Sequence, residues 1–372
     1  MGFFMNAWRL LLLVFLFPLG ILHAESEIRM KGLENRVDNL EKSQTGHSRM
    51  DRLTPCAGPR VRNGMDLYIS ADFIYWTARL DTLTYAKTGR ASIQNVEQAK
   101  KGNVLSVDWS WDPGFKAGLG WSFCHGCWDM NLQYTWFYTN VGDKKHSTSL
   151  LPSYDVLPVD LQQNQITFTR AHAHFDLHYQ VGDLELGRNY YVSRTLKLRP
   201  FIGMKGTWQK QDYNVHYDAI PITQLNALFN CRAKFDQALW GLGMRSGINT
   251  SWQFSKYIGL YGNMAFTGIW LHYDIDRKDT FEAIVAQPDP RTTEATTFNV
   301  QDRLRVIKPA MEFALGLRGE GYFSCGRYHI LAQVGWECQI WPNQTVHATT
   351  NAHYERYDLN LHGFTGKIRF DF

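Results

Sequence analysis

After its first 24 residues, the sequence contains no apolar run long enough to cross a bilayer as a helix. Such a helix needs about 20 successive apolar residues. The apolar run from Leu10 to Leu22 follows Arg9 and precedes Ala24. This order of basic residue, apolar stretch and small residue is typical of a cleavable export signal. We therefore predict that residues 1–24 are a signal peptide, and that membrane-spanning segments, if present, are not helices.

The chain also lacks a large net charge of either sign. The formal net charge is +4, and loss of Arg9 with the signal lowers it by one. No run of basic residues accompanies this small excess. Nucleic-acid partners usually require a basic cluster, so we predict no nucleic-acid binding.

Aromatic residues, by contrast, are abundant. They make up 14% of the chain, whereas charged residues make up 20% and the mean hydropathy is −0.33. Membrane barrels have this composition, because the lipid-facing side uses aromatics and the lumen-facing side keeps the average polar. An aromatic-rich secreted β-sandwich is the alternative class.

A short helical segment is predicted after the signal. Met30, Leu33, Val37 and Leu40 are spaced by three, four and three residues, which matches about two heptads. Residues 27–42 are either a periplasmic coiled coil that assembles a homo-oligomer such as a trimer, or a mobile stalk, since so short a helix is unstable alone. Pro55 and Pro59 then indicate a linker, so we assign residues 25–63 to this region and 64–372 to a barrel domain.

From Asp66 onward the apolar pattern has a period of two, which predicts β-strands. The strands expected from it are 67–75, 105–123, 128–138, 170–185, 197–211, 237–252, 258–273, 305–318, 328–341 and 359–372. Several exceed the 5 or 6 residues usual in soluble proteins and reach the 9 to 11 of a transmembrane strand. The prediction is an all-β fold, a transmembrane antiparallel β-barrel of about ten strands, with a range of 8 to 14 because long connections can contain further strands or enter the lumen.

The connections and the C-terminus support this prediction. Five long connections, near 78–104, 139–165, 212–236, 274–304 and 342–357, alternate with short ones. Long external loops and short periplasmic turns are typical of outer-membrane barrels. The last strand alternates apolar and polar residues and ends on Phe372, which resembles the signal recognised by the outer-membrane assembly machinery.

Polar residues on the strands are candidates for the lumen. Residues 170–180 place a polar side chain at every second position. The predicted lumen-lining residues are Lys116, Asp129, Arg170, His172, His174, Asp176, His178 and Glu312. Neighbouring residues on one face of a strand are about 7 Å apart, too far to share one zinc ion without a partner strand. We therefore predict no metal site, no other cofactor and, because no Gly-x-Ser-x-Gly motif occurs, no catalytic residue.

Six cysteines in an exported chain permit disulfides, and six cysteines allow 15 pairings. The candidates at the periplasmic end are Cys56, Cys124, Cys127 and Cys325. Cys124-x-x-Cys127 lies in a predicted hairpin turn, whereas a thioredoxin-like motif requires a helix in a βαβ unit. A structural disulfide, within the chain or between chains, is therefore favoured over redox catalysis.

Several stretches together resemble a known family. They are Ala173–Tyr179, Asp183–Ser193, Leu196–Gly203, Trp111–Phe115 and Trp240–Gly247. Together they are similar to the major outer membrane protein family of Legionella and of environmental relatives of the chlamydiae. The resemblance implies an abundant surface barrel with pore-forming activity, with cysteine cross-linking in some members and no catalytic residue. It also implies a structural role at the periplasmic rim for Glu185, Arg188 and Arg199.

The resulting expectation is an outer-membrane porin, not an enzyme, for small hydrophilic solutes. The alternative is a non-conducting structural or adhesive surface protein in a disulfide-linked envelope. Ten strands keep this alternative open, because barrels of eight strands are filled by side chains and those of 16 to 18 contain a channel. The expected partners are outer-membrane lipid, the assembly machinery and a host-surface ligand.

Overall fold

The computed structural model describes residues 56–59, 61–62, 64–81, 83–88, 102–123, 127–154, 168–219, 227–255, 257–285, 292–349 and 353–372. The predicted signal peptide, the predicted helical segment of residues 27–42 and Cys124 lie outside these residues. In the part of the chain that the structure describes, no helix is long and apolar enough to cross a membrane.

Within the described residues, ten long strands form the wall. They are β1 (Leu67–Leu80), β4 (Asp112–Ser122), β5 (Trp128–Pro152), β6 (Phe168–Arg188), β8 (Leu196–Ala219), β9 (Ala227–Gln253), β10 (Ile258–Val285), β11 (Thr292–Phe323), β12 (Tyr328–Ala348) and β13 (Tyr354–Asp371). Three short strands accompany them: β2 (Thr84–Thr88), β3 (Val104–Ser106) and β7 (Tyr190–Tyr191).

The long strands pair antiparallel with their neighbours and close into a ring. The order is β1, β4, β5, β6, β8, β9, β10, β11, β12 and β13, and β13 pairs with β1. Pairing of β5 with β6 completes the ring. The seam between first and last strands is regular, with Tyr68 opposite Asp371 and Leu80 opposite Leu359. The prediction of a closed all-β barrel of ten strands is confirmed.

Two details of the strand prediction are wrong. Residues 105–123 do not form one strand: β4 begins at Asp112, and Val104–Ser106 pairs separately with β2. Val107 and Trp109 share the apolar parity of this stretch because they pack inside the barrel and not against lipid. The long external connections are also shorter than predicted, because β5, β6 and β8 to β11 extend far into them.

An apolar band surrounds the half of the barrel nearest the chain ends. Exposed outward residues such as Leu119, Leu242 and Leu317 form it. One aromatic belt at the short-turn end includes Trp121, Trp128, Trp252, Tyr257 and Tyr322, and the second includes Tyr75, Trp111, Trp208, Trp240, Trp270 and Trp336. On β9 the belts are separated by the 12 residues from Trp240 to Trp252, which span about 30 Å along the membrane normal because the strand is tilted by roughly 40°. This height fits a bilayer core.

Between the belts the apolar residues of the strands face outward, and beyond the second belt they face the inside of the barrel. On β6, the inward residues are the polar Asp183 and Glu185 near the short-turn end, but Phe175 and Leu177 farther along. The main cluster of buried apolar side chains therefore lies inside the external half of the barrel. The wall above the belts lies beyond the hydrocarbon core, so apolar side chains there are removed from water by packing inward.

Candidate functional site

The lumen is the candidate site, and its periplasmic mouth is crossed by a short segment that we call the strap (residues 56–59 and 61–62). Cys56 forms a disulfide with Cys127, and the Ala57 amide donates a hydrogen bond to the Asn189 carbonyl at 3.4 Å. At its other end the Arg62 amide donates to the Gly326 carbonyl at 2.8 Å. These anchors lie on turns at opposite sides of the ring, so the strap spans the opening.

A cavity of about 200 Å³ lies above the strap. Ala57 and Pro59 of the strap line it, together with Asp72, Arg199 and Lys367 from the wall. Both signs of charge face this space, which makes it polar without a strong preference for anions or cations.

A network of buried ion pairs, which we call the ion network, crosses the lumen next to the cavity. Arg245 on β9 donates to Glu312 on β11 at 2.6 Å and also to Glu185 on β6. Lys205 on β8 lies 2.7 Å from both Asp183 and Glu312. Further pairs join Lys116 to Glu337 at 2.5 Å and Arg199 to Asp129 and Glu185 at 2.9 and 2.8 Å. The pairs of Lys205 with Asp183 and of Arg199 with Glu185 join the neighbouring strands β8 and β6, whereas the others link strands two or three positions apart in the ring and bridge the interior.

A folded-in hairpin closes the lumen above the ion network. The register of β12 and β13 shifts between Trp341 and Thr345, and Asn343 has a positive φ of 52°. β12 stops pairing with β11 at Ile340. We call residues 344–349 and 353–357, which follow this bulge, the inner arm. A bulge bends its strand, and here the bend directs the arm into the barrel.

The inner arm reaches β8, β9 and β10 across the lumen. Gln344 donates to Gln209 at 3.3 Å, and Thr345 donates to Gln211 at 2.6 Å. The Val346 amide donates to Gln237 at 2.7 Å. The arm thereby supplies hydrogen-bond donors to the buried side-chain oxygens of these three glutamines.

Aromatic side chains complete the closure on the external side. The His347 ring of the inner arm stacks on Phe235, with centroids 4.5 Å apart, and on Tyr213 at 5.7 Å. Tyr154, from the end of the β5 region, packs on Phe235 at 5.0 Å. Burial raises the pKa of the Tyr154 phenol well above its ordinary value, so this group stays neutral.

The chain matches a family described as the Legionella pneumophila major outer membrane protein precursor, over residues 58–372. The chain belongs to this family. This match confirms the Legionella part of the resemblance seen in the sequence, and it places the chain in the outer membrane. No curated protein matches the chain.

Several solved barrels are similar at low identity. The outer membrane protease OmpT from Escherichia coli has 10% identity and a TM-score of 0.32, covering 83% of this chain and 98% of that chain. The Pseudomonas putida toluene transporter TodX has 9% identity and a TM-score of 0.30, covering 83% and 90%. The transport unit of the autotransporter AIDA-I from Escherichia coli has 9% identity and a TM-score of 0.26, covering 90% and 95%.

Three of the residues that we predicted to line the lumen lie inside the barrel. Lys116, Asp129 and Glu312 are buried on the inward face and belong to the ion network. The sequence did not identify their partners Lys205, Arg245 and Glu337. One signal in the sequence could have identified Arg245 as an inward residue. This arginine lies on the same face of β9 as Gly241 and Gly243, and a charged residue among these glycines is unusual.

The other five predicted lumen residues face outward, so that prediction is wrong. They are Arg170, His172, His174, Asp176 and His178, and they alternate with the buried inward residues Ala171, Ala173, Phe175 and Leu177. Alternation separates two faces of a strand but does not say which one faces the lumen. Above the aromatic belt the outer face meets polar surroundings and accepts these side chains.

The rim and cysteine predictions have mixed outcomes. Glu185 and Arg199 pair at 2.8 Å, whereas Arg188 lies on the opposite parity of β6 from Glu185. Cys56 and Cys127 form a disulfide, while Cys325 is exposed with a free thiol in the turn Ser324–Gly326. Phe372 lies at the seam, where its amide donates to the Leu67 carbonyl at 3.0 Å.

Proposed function

We propose that this outer-membrane barrel has a closed lumen at rest and serves as a structural and display protein of the cell surface, without a chemical step. The inner arm carries this proposal, because it crosses the lumen and joins strands on the far side. A free-diffusion pore needs a continuous water path, and the arm occupies that path.

Two further layers support a closed lumen. The ion network bridges the interior between the arm and the cavity, and the strap spans the periplasmic mouth. Buried ion pairs are costly to break, since loss of one partner leaves an uncompensated charge. The barrel is therefore a rigid frame, and the extended strands β8 to β11 present its outer surface above the membrane.

A porin for small hydrophilic solutes is the second candidate, favoured by the polar cavity of about 200 Å³ beside the ion network. In this candidate the inner arm leaves the lumen in an open state. The bulge at Asn343 is the point at which the arm would turn, since the ladder with β11 already ends at Ile340.

Single-channel recording in planar bilayers tests the proposal. We would compare the intact oxidised protein with a variant in which residues 344–356 are replaced by a short Gly-Ser linker. Vesicle flotation and heat-modifiable migration would verify that both are folded and inserted. We expect the intact barrel to be silent, whether or not the variant conducts.

Discrete conductance steps from the intact protein would overturn the closed-lumen proposal and establish the porin. Steps from the shortened variant alone would identify the inner arm as the plug. Silence from both would indicate that the ion network also blocks the lumen.

A further inference from the structure

Four basic side chains form a row on the outer wall above the second aromatic belt. Lys144 on β5 lies directly opposite His172 on β6, and His172 lies opposite His216 on β8. His216 in turn lies opposite Arg232 on β9. We call these four residues the basic row; adjacent strands are about 4.8 Å apart, so the row is about 15 Å long.

The basic row faces away from the lumen. Its strand neighbours Ala171, Ala173, Val215, Tyr217 and Ala233 are buried inside the barrel. Because successive side chains on a strand point to opposite faces, the row projects outward. Lys144 and Arg232 are both exposed.

The charged residues in the two flanking rows are mainly basic, with Asp218 and Glu282 as the acidic ones, and the next row towards the belt consists of Asp176, Asp212, Asp236 and Asp276. Arg170, Lys234 and Lys278 lie on the same face in the flanking rows. The main counter-charge is Asp218, which contacts His216 at 2.8 Å and Arg170 at 3.3 Å. Asp236 pairs with Lys234, and Asp176 pairs with His174. Asp218 lies in the flanking row opposite Arg170 and already contacts His216 and Arg170, so it does not balance Lys144 and Arg232 at the two ends of the basic row.

The position of the row indicates what can balance it. On β8 and β9, His216 and Arg232 are each eight residues beyond the belt tryptophans Trp208 and Trp240. Eight residues on a tilted strand correspond to about 20 Å above the apolar band. In an outer membrane this height lies in the saccharide layer of the outer-leaflet glycolipids.

We propose that the basic row binds the phosphate groups of an outer-leaflet glycolipid whose acyl chains pack on the apolar band below. Arg and Lys bind phosphate through charge-assisted hydrogen bonds, and a strand-spaced row presents several donors to one extended anionic saccharide. This inference depends on the location in the outer membrane and not on whether the lumen conducts.

Binding of purified lipopolysaccharide to the full-length protein in neutral detergent micelles tests the proposal. The probes are a lipopolysaccharide with phosphorylated core and the same preparation after enzymatic dephosphorylation. The variant is Lys144→Gln with Arg232→Gln. The control is Arg79→Gln, which removes an exposed arginine from β1, outside the basic row.

We expect the double variant to bind the phosphorylated probe at least about tenfold more weakly, since each basic group near an anionic surface contributes about 1 kcal/mol. Arg79→Gln should change affinity less than about twofold. The wild type should bind the dephosphorylated probe as weakly as the double variant does. Heat-modifiable migration verifies folding. If the double variant does not fold, the binding test is made with the single variant Lys144→Gln.

Three results would overturn the proposal. They are equal affinity of the double variant and the wild type, an equal loss in Arg79→Gln, and a loss in the double variant that persists with the dephosphorylated probe. Binding of a soluble acidic polysaccharide in preference to the lipid-linked form would assign the row to a different occupant and would also overturn it.

Discussion

Arg245 is the residue on which most of the ion network depends. Its side chain is only 9% exposed and contacts Glu185 and Glu312 from two other strands. Asp183 lies 3.7 Å from its Nε. A single guanidinium thus neutralises carboxylates that come from β6 and β11, and it connects these strands across the interior.

Replacement of Arg245 by methionine should destabilise the barrel strongly. The variant leaves buried carboxylates with less positive charge, and loss of one partner of a buried pair costs about 3–5 kcal/mol. The free energy of unfolding can be measured in urea with lipid vesicles, using tryptophan fluorescence.

Lys210→Met is the matched control, because Lys210 pairs with Asp212 at 3.0 Å on the outer surface and its side chain is 59% exposed. Exposed pairs contribute about 0–1 kcal/mol. A loss in Arg245→Met no larger than that in Lys210→Met would show that the ion network does not stabilise the wall.

Residue roles were only partly predictable from the sequence. The alternation correctly placed Lys116 and Glu312 on the polar, inward parity of their strands. The same reasoning failed for His172 and His174, because the sequence does not mark where the lipid ends. Partners such as Arg245 and Glu185 are distant in sequence and meet only once the strand register is known.

Among the elements, the strap is held by one disulfide and by backbone hydrogen bonds at its two ends. Its disulfide joins residues separated by 71 positions in the sequence. Closing a loop of this length restricts the unfolded chain, which stabilises the folded form by about 2–4 kcal/mol.

The double variant Cys56→Ser with Cys127→Ser should therefore lower the free energy of unfolding by about 2–4 kcal/mol relative to the oxidised wild type. Cys325→Ser is the control, since Cys325 is exposed and unpaired with another cysteine. Reducing agent should lower the stability of the wild type and of Cys325→Ser, but not that of the double variant. Equal stability of all three oxidised proteins would contradict a stabilising disulfide.

The inner arm shows why some elements were not predicted. Residues 342–357 have the composition of a polar external connection, and the sequence left open which of the long connections enter the lumen. Pro342 and Asn343 mark an irregularity, but the direction of the bend depends on the acceptors Gln209, Gln211 and Gln237 on distant strands. By contrast, the strands around the membrane band were predictable, because lipid on one side imposes strict alternation.

At the scale of the whole molecule, closure depends on the seam between β1 and β13. The backbones of Leu67 and Phe372 exchange hydrogen bonds at 3.0 and 3.3 Å, at the very end of the pairing. The terminal side chain contacts Phe370, with ring centroids 6.0 Å apart. The Phe372 side chain is half-buried at this end of the seam, and we expect the assembly machinery to recognise it.

We predict that Phe372→Ser reduces the amount of protein inserted in the outer membrane of living cells severalfold, while refolding into vesicles in vitro is nearly unchanged. The cellular amount is measured by heat-modifiable migration of membrane fractions, and Ile368→Ser, on the apolar band of the same strand, is the comparison. Similar losses in cells and in vesicles for Phe372→Ser would indicate a seam defect and not recognition by the assembly machinery.

The strap also bears on the order in which the molecule is built. The loop that the disulfide closes contains all of β1 and β4 and ends just before β5. Both cysteines have left the cytoplasm while the C-terminal two thirds of the chain, which follows Cys127, is still to be exported. Oxidation can therefore bring the first strands together while β13 is still being exported, so that the last strand meets a preformed partner edge.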